Sequence, residues 1–147
     1  MYYFAYGSNM DWAQMRHRCP STVFVSTACL RHYRFAIARH SRLRDCGTAN
    51  IFADPGSEVW GVLYDICAED LVLLDDYEDG YRRETVRLAV AQNGQGPVEA
   101  LTYIAPRELT VPLPNLRYKQ HLLEGARHWG LPQDYCRMLE ALEAASP

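Results

Sequence analysis

The chain has 147 residues, long enough for one domain with a real core, and 48% of them are hydrophobic, which excludes a disordered protein. Its 15 basic and 18 acidic residues are mixed along the sequence, so neither nucleic acid nor an acidic membrane is expected as a partner. The five cysteines contain no C-x-x-C pair and the five histidines lack paired ligand spacing, so we expect reduced thiols and no metal site. Because Met1 leads directly into a predicted strand, without a charged leader or a long apolar run, a cytosolic protein is expected.

The predicted strands mostly follow one another without a helix between them. Segments rich in β-branched and aromatic residues predict six strands, at 2–6, 22–30, 33–38, 59–66, 81–91 and 98–104. Helices are expected at 11–18, 68–78, 115–129 and 133–144, and the Asn-Gly-Gln-Gly-Pro segment at 93–97 predicts a hairpin turn. This order favours an α+β fold, a mostly antiparallel or mixed sheet that can close into a small barrel with flanking helices. We see no linker or repeat, so a single domain over 1–147 is expected.

A glycine turn, Tyr6-Gly7-Ser8-Asn9-Met10, separates the first predicted strand from the first predicted helix. Gly7 can adopt a backbone conformation that a side chain would resist, and Ser8 or Asn9 can cap the helix with its side-chain oxygen. Amides at the positive end of the helix dipole can then hold a carboxylate or stabilise an oxyanion. The longer glycine-rich loop with a lysine is absent, which disfavours phosphate. A turn followed by a cap is also ordinary structure, so the motif alone does not establish a site.

A basic cluster lies between residues 31 and 44. Part of it alternates with other residues as in a strand, and it contains Arg31, His32, Arg34, Arg39, His40, Arg42 and Arg44. The alternation favours a solvated strand face followed by a loop. Attraction of an acidic substrate is the alternative.

The third feature is an acidic helix end, Leu74-Asp75-Asp76-Tyr77-Glu78-Asp79-Gly80. Acidic side chains face the negative end of the dipole there, so stability alone would favour Lys or Arg. At about 100° per residue, Glu78 lies within roughly 20° of Leu71 on the apolar face. We therefore expect Glu78 to point inward, with a pKa raised by burial, neighbouring carboxylates and the helix end, as suits a proton acceptor. The alternative is a carboxylate that reaches solvent or pairs with Arg82 or Arg83.

Taken in order, these motifs resemble the gamma-glutamylcyclotransferase family. The resemblance includes the glycine turn, then Val59-Trp60-Gly61-Val62 ahead of the acidic helix end, then Pro114-Asn115-Leu116-Arg117-Tyr118, and it continues into Gly130-Leu131-Pro132. It therefore spans nearly the whole chain. It implies a small barrel with flanking helices, no cofactor, and conversion of a γ-glutamyl amide to 5-oxoproline with release of an amine or amino acid. A homodimer is compatible with the same resemblance.

The resemblance also implies roles for particular residues. Glu78 would be the catalytic acid/base, and the substrate-binding residues would be Tyr6, Gly7, Ser8, Asn9 and Tyr118. Glu78 would take a proton from the substrate's α-ammonium, and the freed amine would close a five-membered ring on the γ-carbonyl. Since the nucleophile belongs to the substrate, no catalytic Ser or Cys is needed. A binding protein that keeps the pocket without turnover is the second hypothesis.

The sequence departs from the family pattern at three places, and these affect which residue roles can be carried over from the family to this chain. Met10 stands where an aliphatic residue is usual, and Asn115 replaces a common serine; both changes are mild, because Met is a flexible hydrophobe and Asn caps helices as Ser does. The third is the short connection from Glu78 to Tyr81. If this loop shapes the leaving-group side of the pocket, that side differs from other members of the family and the exact substrate is open. Three residues after it are candidates to border the pocket, although strand packing or surface pairing is favoured for them: Tyr81, Arg82 and Arg83.

Overall fold

The computed structural model describes residues 1–90 and 96–146. Within these ranges the strands are β1 Tyr2–Ala5, β2 Val23–Ser41, β3 Cys46–Asp65, β4 Arg82–Val90 and β5 Val98–Ile104. The α-helices of the same ranges are α1 Trp12–Arg18, α2 Ala68–Tyr77, α3 Leu116–Trp129 and α4 Gln133–Glu140, and a 3-10 turn at Ser8–Met10 lies between β1 and α1. Residues 93–95 of the predicted hairpin turn lie outside the described ranges.

The strands form a closed barrel in the order β1-β3-β2-β4-β5. The β1–β3, β2–β3, β2–β4 and β4–β5 pairs are antiparallel, and a parallel contact between Tyr3 of β1 and Leu101 of β5 closes the ring. The predicted α+β barrel, mostly antiparallel with flanking helices, is confirmed. Closure leaves β1 with neighbours on both sides, which fixes where the glycine turn leaves the sheet.

A long ribbon of β2 and β3 replaces several predicted elements. The sequence predicts two strands at 22–30 and 33–38 and none over 46–58, and this is wrong: β2 and β3 pair from Val23↔Asp65 to Ser41↔Cys46. The ribbon absorbs the Pro-Gly pair at 55–56 in a bulge, where Gly56 and His32 both have positive φ, 87° and 66°. Bulges are where a sheet tolerates such residues, so a turn signal in the sequence did not mark the end of a strand.

Helix α3 lies directly on the glycine turn. Its buried face includes Leu122, Gly125 and Ala126. A Cβ at Gly125 would overlap the backbone and Cβ of Met10, so glycine permits this close approach. At the end of α3, Trp129 Nε1 donates a hydrogen bond to the Met10 carbonyl at 2.9 Å. Helix α3 thus holds the turn in place both by packing and by a hydrogen bond.

The helix boundaries differ slightly from those expected, and α4 ends at Glu140 rather than near residue 144. In the described part of the chain, no helix is both long enough and apolar enough to cross a membrane. All five cysteines are free thiols.

Candidate active site

The glycine turn forms one wall of a pocket at the end of the barrel. The Gly7 backbone has φ −111°, outside the left-handed region that favours glycine, so a special conformation does not explain the residue. A Cβ at Gly7 would lie 3.4 Å from Tyr118 Oη and 3.6 Å from Ala49 Cβ, which are ordinary contacts, so packing does not require glycine here either. The neighbouring Tyr6 is buried and its hydroxyl donates to the Tyr103 carbonyl, which ties the start of the turn to β5.

The predicted helix cap at Ser8 or Asn9 is wrong. Residues Ser8–Met10 form a 3-10 turn of their own with no side-chain cap, and the N-cap of α1 is Asp11, whose Oδ1 accepts from Ala13 N at 3.1 Å. The physical reason is that the extra turn lies between Gly7 and the helix, so the capping position falls on Asp11, another good capping residue. The side chains of Ser8 and Asn9 therefore do not cap a helix and instead line the pocket.

Asn9 is the centre of the hydrogen-bond network in the pocket. Its buried amide Nδ2 donates to Glu78 Oε1 at 2.9 Å and to Tyr3 Oη at 3.0 Å. Its Oδ1 accepts from Gln14 Nε2 at 3.0 Å and from Arg18 Nη1 at 3.2 Å. Both amide protons and the oxygen are engaged, so the side chain has one fixed orientation. That orientation presents a donor to Glu78.

The turn also offers backbone donors. Within the described residues, no group accepts a hydrogen bond from the amides of Gly7, Ser8 or Asn9, whereas the next two amides, of Met10 and Asp11, bond to Gly7 and Ser8 carbonyls. All three turn residues line the pocket. Neighbouring backbone amides without internal partners are suited to a carboxylate or an oxyanion.

Glu78 lies at the C-cap of α2 and its side chain is partly buried in the pocket. Burial raises the pKa of this carboxyl group to about 7, and Asp75 adds to the rise. Arg18, Arg44 and the Asn9 hydrogen bond lower the pKa, and burial outweighs them. The predicted direction is therefore confirmed, while the opposing arginines are not foreseen in the sequence.

The alternative partners for Glu78 are engaged elsewhere. Arg83 Nε donates to Asp75 Oδ1 at 2.8 Å, and Arg82 Nε donates to Glu84 Oε1 at 2.7 Å. The alternative, in which Glu78 pairs with either arginine, is wrong, because both guanidinium groups pair with other carboxylates and neither residue lines the pocket.

Tyrosine side chains make up much of the remaining wall: Tyr3, Tyr6, Tyr77, Tyr81, Tyr103 and Tyr118. Tyr118 Oη accepts from Ala49 N at 2.8 Å, and Tyr81 Oη donates to the Ala49 carbonyl at 2.7 Å. Burial raises the pKa of Tyr118 well above its usual range, so its hydroxyl stays neutral. Tyr3 and Tyr103 were missed from the sequence, since only the barrel register shows which strand residues face inward.

The connection from Glu78 to Tyr81 is a tight turn. Tyr81 N donates to the Glu78 carbonyl at 3.0 Å, and Gly80 has φ 84°, where glycine is favoured. A Cβ on Gly80 would overlap the Arg39 guanidinium. The short connection thus brings Tyr81 to the pocket, and the lining includes neither of the two arginines that follow it.

Three arginines line the pocket, Arg18, Arg42 and Arg44, and the first and last of them lie over its tyrosine rings. Arg18 of α1 lies 4.5 Å from the centre of the Tyr77 ring, and Arg44, from the turn between β2 and β3, lies 5.2 Å from that of Tyr118. Arg44 Nη2 donates to Gln14 Oε1 at 2.7 Å and to Ser8 Oγ at 3.2 Å. The basic cluster of the sequence is therefore divided, with Arg31 exposed on β2 and Arg44 in the pocket.

Comparisons with known proteins agree with this geometry. Residues 58–139 match the AIG2-like family. The chain is 33% identical to the gamma-glutamylcyclotransferase of Bos taurus over 96% of this chain and 78% of that protein, and 31% identical to that of Homo sapiens over the same shares. A solved structure titled Gamma-glutamyl cyclotransferase superposes with a TM-score of 0.92 at 28% identity, covering 100% of this chain and 90% of the other. The chain therefore belongs to the gamma-glutamylcyclotransferase family.

Proposed function

We propose that this chain is an enzyme that cyclises a small-molecule γ-glutamyl amide to 5-oxoproline and releases the amine or amino acid. The observation that carries the proposal is Glu78, a carboxyl group with a pKa of about 7 in a pocket that is also lined by the glycine turn, whose Gly7, Ser8 and Asn9 amides have no acceptor among the described residues. Relatives named gamma-glutamylcyclotransferase support the same reaction.

Glu78 would act first as a base. The substrate's α-ammonium gives a proton to the carboxylate, and the freed amine attacks the γ-carbonyl carbon to form the C–N bond of a five-membered ring. Asn9 Nδ2, which already donates to Oε1, would hold the carboxylate in place during this transfer. The protonated Glu78 then gives the proton to the leaving nitrogen as its C–N bond breaks. The ring nitrogen still has to lose a second proton, which the Glu78 carboxylate would take up and pass to the released amine, so that the products are 5-oxoproline and an ammonium ion and Glu78 returns to its starting state.

The glycine turn and Tyr118 would bind the γ-glutamyl group. The amides of Gly7, Ser8 and Asn9 supply donors either for the α-carboxylate or for the oxyanion that forms on the γ-carbonyl. Tyr6 and Tyr118 would shape the space between them, because both are buried and fixed by hydrogen bonds to the backbone. Holding amine and carbonyl close together supplies much of the rate in an intramolecular reaction.

A binding protein without turnover is disfavoured. A partly buried carboxylate costs folding free energy, and a pure binder gains little from one whose pKa lies near 7. We further propose a role in glutathione-related metabolism and a cytosolic location. A homodimer also stays a prediction of the sequence.

The reaction can be tested by measuring whether an oxygen atom of water enters the product. The purified protein is incubated with γ-glutamyl-alanine and with a γ-glutamyl amine in ¹⁸O-labelled water, and the products are identified by mass spectrometry. Cyclisation gives 5-oxoproline without ¹⁸O together with the free amine. Glutamate that carries ¹⁸O would indicate hydrolysis, and no product from either compound would contradict the proposal and favour the binding protein.

A further inference from the structure

The pocket does not end at Arg18 and Arg44. A second, more open groove adjoins it and shares Arg18, Leu43 and Arg44 with it. The groove runs between the exposed side of α1 and the start of α3, where it reaches Arg117. A substrate bound beside Glu78 therefore has a continuous surface available beyond Arg44.

This groove is rich in positive charge. It is lined by Arg18, Arg44 and Arg117, and within the described residues none of the three has a carboxylate within 4.0 Å. The carboxylate that lines the groove, Asp11, is already occupied as the cap of α1 and by contact with His121 Nδ1. Guanidinium groups in such a setting are suited to carboxylate ligands.

Arg44 has guanidinium N–H groups that are available to a ligand. Both of its hydrogen bonds to side chains, to Ser8 and Gln14, come from Nη2, and within the described residues Nη1 and Nε donate to no acceptor. The same two hydrogen bonds and the stacking on Tyr118 hold the guanidinium in position. It is therefore a fixed cation that can take a bidentate or single contact without rearrangement.

The leaving group would face this groove rather than the other adjoining opening, because that opening is lined by two arginines and two acidic residues and carries less net positive charge. The γ-glutamyl end has to lie near Glu78 and Asn9, where the wall is formed by buried side chains such as Tyr3. The turn between β2 and β3 also lines the pocket, and there Leu43 is 72% exposed. If the amine departs toward solvent on this side, its substituents pass Arg44 and enter the groove.

We propose that the groove selects γ-glutamyl amino acids whose leaving group has an acidic side chain, with Arg44 and Arg117 as specificity-determining residues. The inference rests on the proposed function. The leaving group of γ-glutamyl-glutamate carries two carboxylates, which match Arg44 and Arg117 of the groove. The leaving group of a γ-glutamyl amine carries none and leaves both guanidinium groups without a ligand.

The test compares γ-glutamyl-glutamate with γ-glutamyl-glutamine, which have nearly the same shape and differ in one negative charge. We expect the wild-type protein to favour γ-glutamyl-glutamate by about tenfold in kcat/KM, as measured by release of 5-oxoproline. Arg44→Gln and Arg117→Gln should each reduce that ratio by about threefold or more. Arg16→Gln, which removes an exposed arginine of α1 outside the groove lining, should leave the ratio as in wild type.

The ratio of two substrates separates recognition from a structural effect, since a damaged fold lowers both rates together. Arg117 is exposed, so its substitution keeps the test usable if Arg44→Gln does not fold. A wild-type ratio near one, or a ratio unchanged in both variants, would overturn the inference while the proposed function stands. No 5-oxoproline from either compound would overturn the inference, and none from γ-glutamyl-alanine and a γ-glutamyl amine as well would overturn the proposed function too.

Discussion

Glu78 is poised between its two protonation states because two opposing effects nearly balance. Burial favours the neutral acid, whereas Arg18, Arg44 and the donor on Asn9 favour the carboxylate, and the pKa comes to about 7. A group with this pKa is present in useful amounts both as a base and as an acid near neutral pH. The reaction proposed for it needs both forms in turn.

The rate should follow the ionisation of Glu78. Below about pH 7 the carboxyl group is mostly protonated and cannot accept the α-ammonium proton. We expect kcat/KM for γ-glutamyl-alanine to fall about tenfold for each pH unit below that value. Initial rates between pH 5 and 7.5 measure the profile, and a rate that stays constant over this range would show that another group accepts the proton.

The same pKa predicts an effect on stability. A carboxyl group whose pKa is raised in the folded state stabilises the fold while protonated, and this contribution is lost as the pH rises from about 4.5 to about 7. Glu78→Gln, which stays neutral, should therefore raise the free energy of unfolding by about 1–2 kcal/mol at pH 8, a figure reduced for partial exposure. Urea unfolding at pH 8 and pH 4 measures it. Equal effects at both pH values would mean that ionisation is not the cause.

At the scale of elements, the site depends on how closely α3 approaches the glycine turn. Gly125 lies against the backbone of Met10, so Gly125→Ala must push helix and turn apart. We expect a loss of about 1–3 kcal/mol in stability, as for other overpacked sites, together with lower activity because Asn9 moves with the turn. Gly96→Ala is the control, since a Cβ at Gly96 meets nothing within 4 Å. Thermal unfolding of the two variants measures the difference in stability. Similar melting temperatures would contradict the packing argument.

The elements show what could be predicted from the sequence. The helices were identified because their starts carry local signals, such as Asn115, whose Oδ1 accepts from Tyr118 N at 2.8 Å. The long ribbon of β2 and β3 was not predicted, because the Pro-Gly pair at 55–56 has the residues of a turn. Only pairing with β2 makes this segment a bulge within a strand. Arg44 was part of a recognised basic cluster, but its direction depends on how the ribbon's end turns back over the barrel.

At the scale of the whole molecule, the barrel brings together groups that lie far apart in the sequence. The glycine turn, Glu78 and Tyr118 line one pocket; the first two were candidates from their own local motifs, and Tyr118 was implied by the family resemblance. Tyr3 and Tyr103 could not, because their place depends on barrel closure, which no local pattern encodes. The catalytic and binding roles of all these residues stay predictions.

One hydrophobic core also predicts how the molecule unfolds. Buried side chains from Tyr3 in β1 to Leu139 in α4 belong to a single cluster. We expect one cooperative transition in urea, with the same midpoint by tryptophan fluorescence and by far-ultraviolet circular dichroism. Two midpoints that differ between the probes would contradict the single-domain organisation predicted for residues 1–147.

The central claim is that Glu78 transfers the proton in γ-glutamyl cyclisation. The most direct test measures 5-oxoproline from γ-glutamyl-alanine with the wild-type protein, Glu78→Gln and Asp76→Asn, an exposed acid of the same helix outside the pocket lining. We predict that Glu78→Gln folds and loses at least about 100-fold in kcat, while Asp76→Asn keeps the wild-type rate. A folded Glu78→Gln protein with near wild-type turnover would contradict the account.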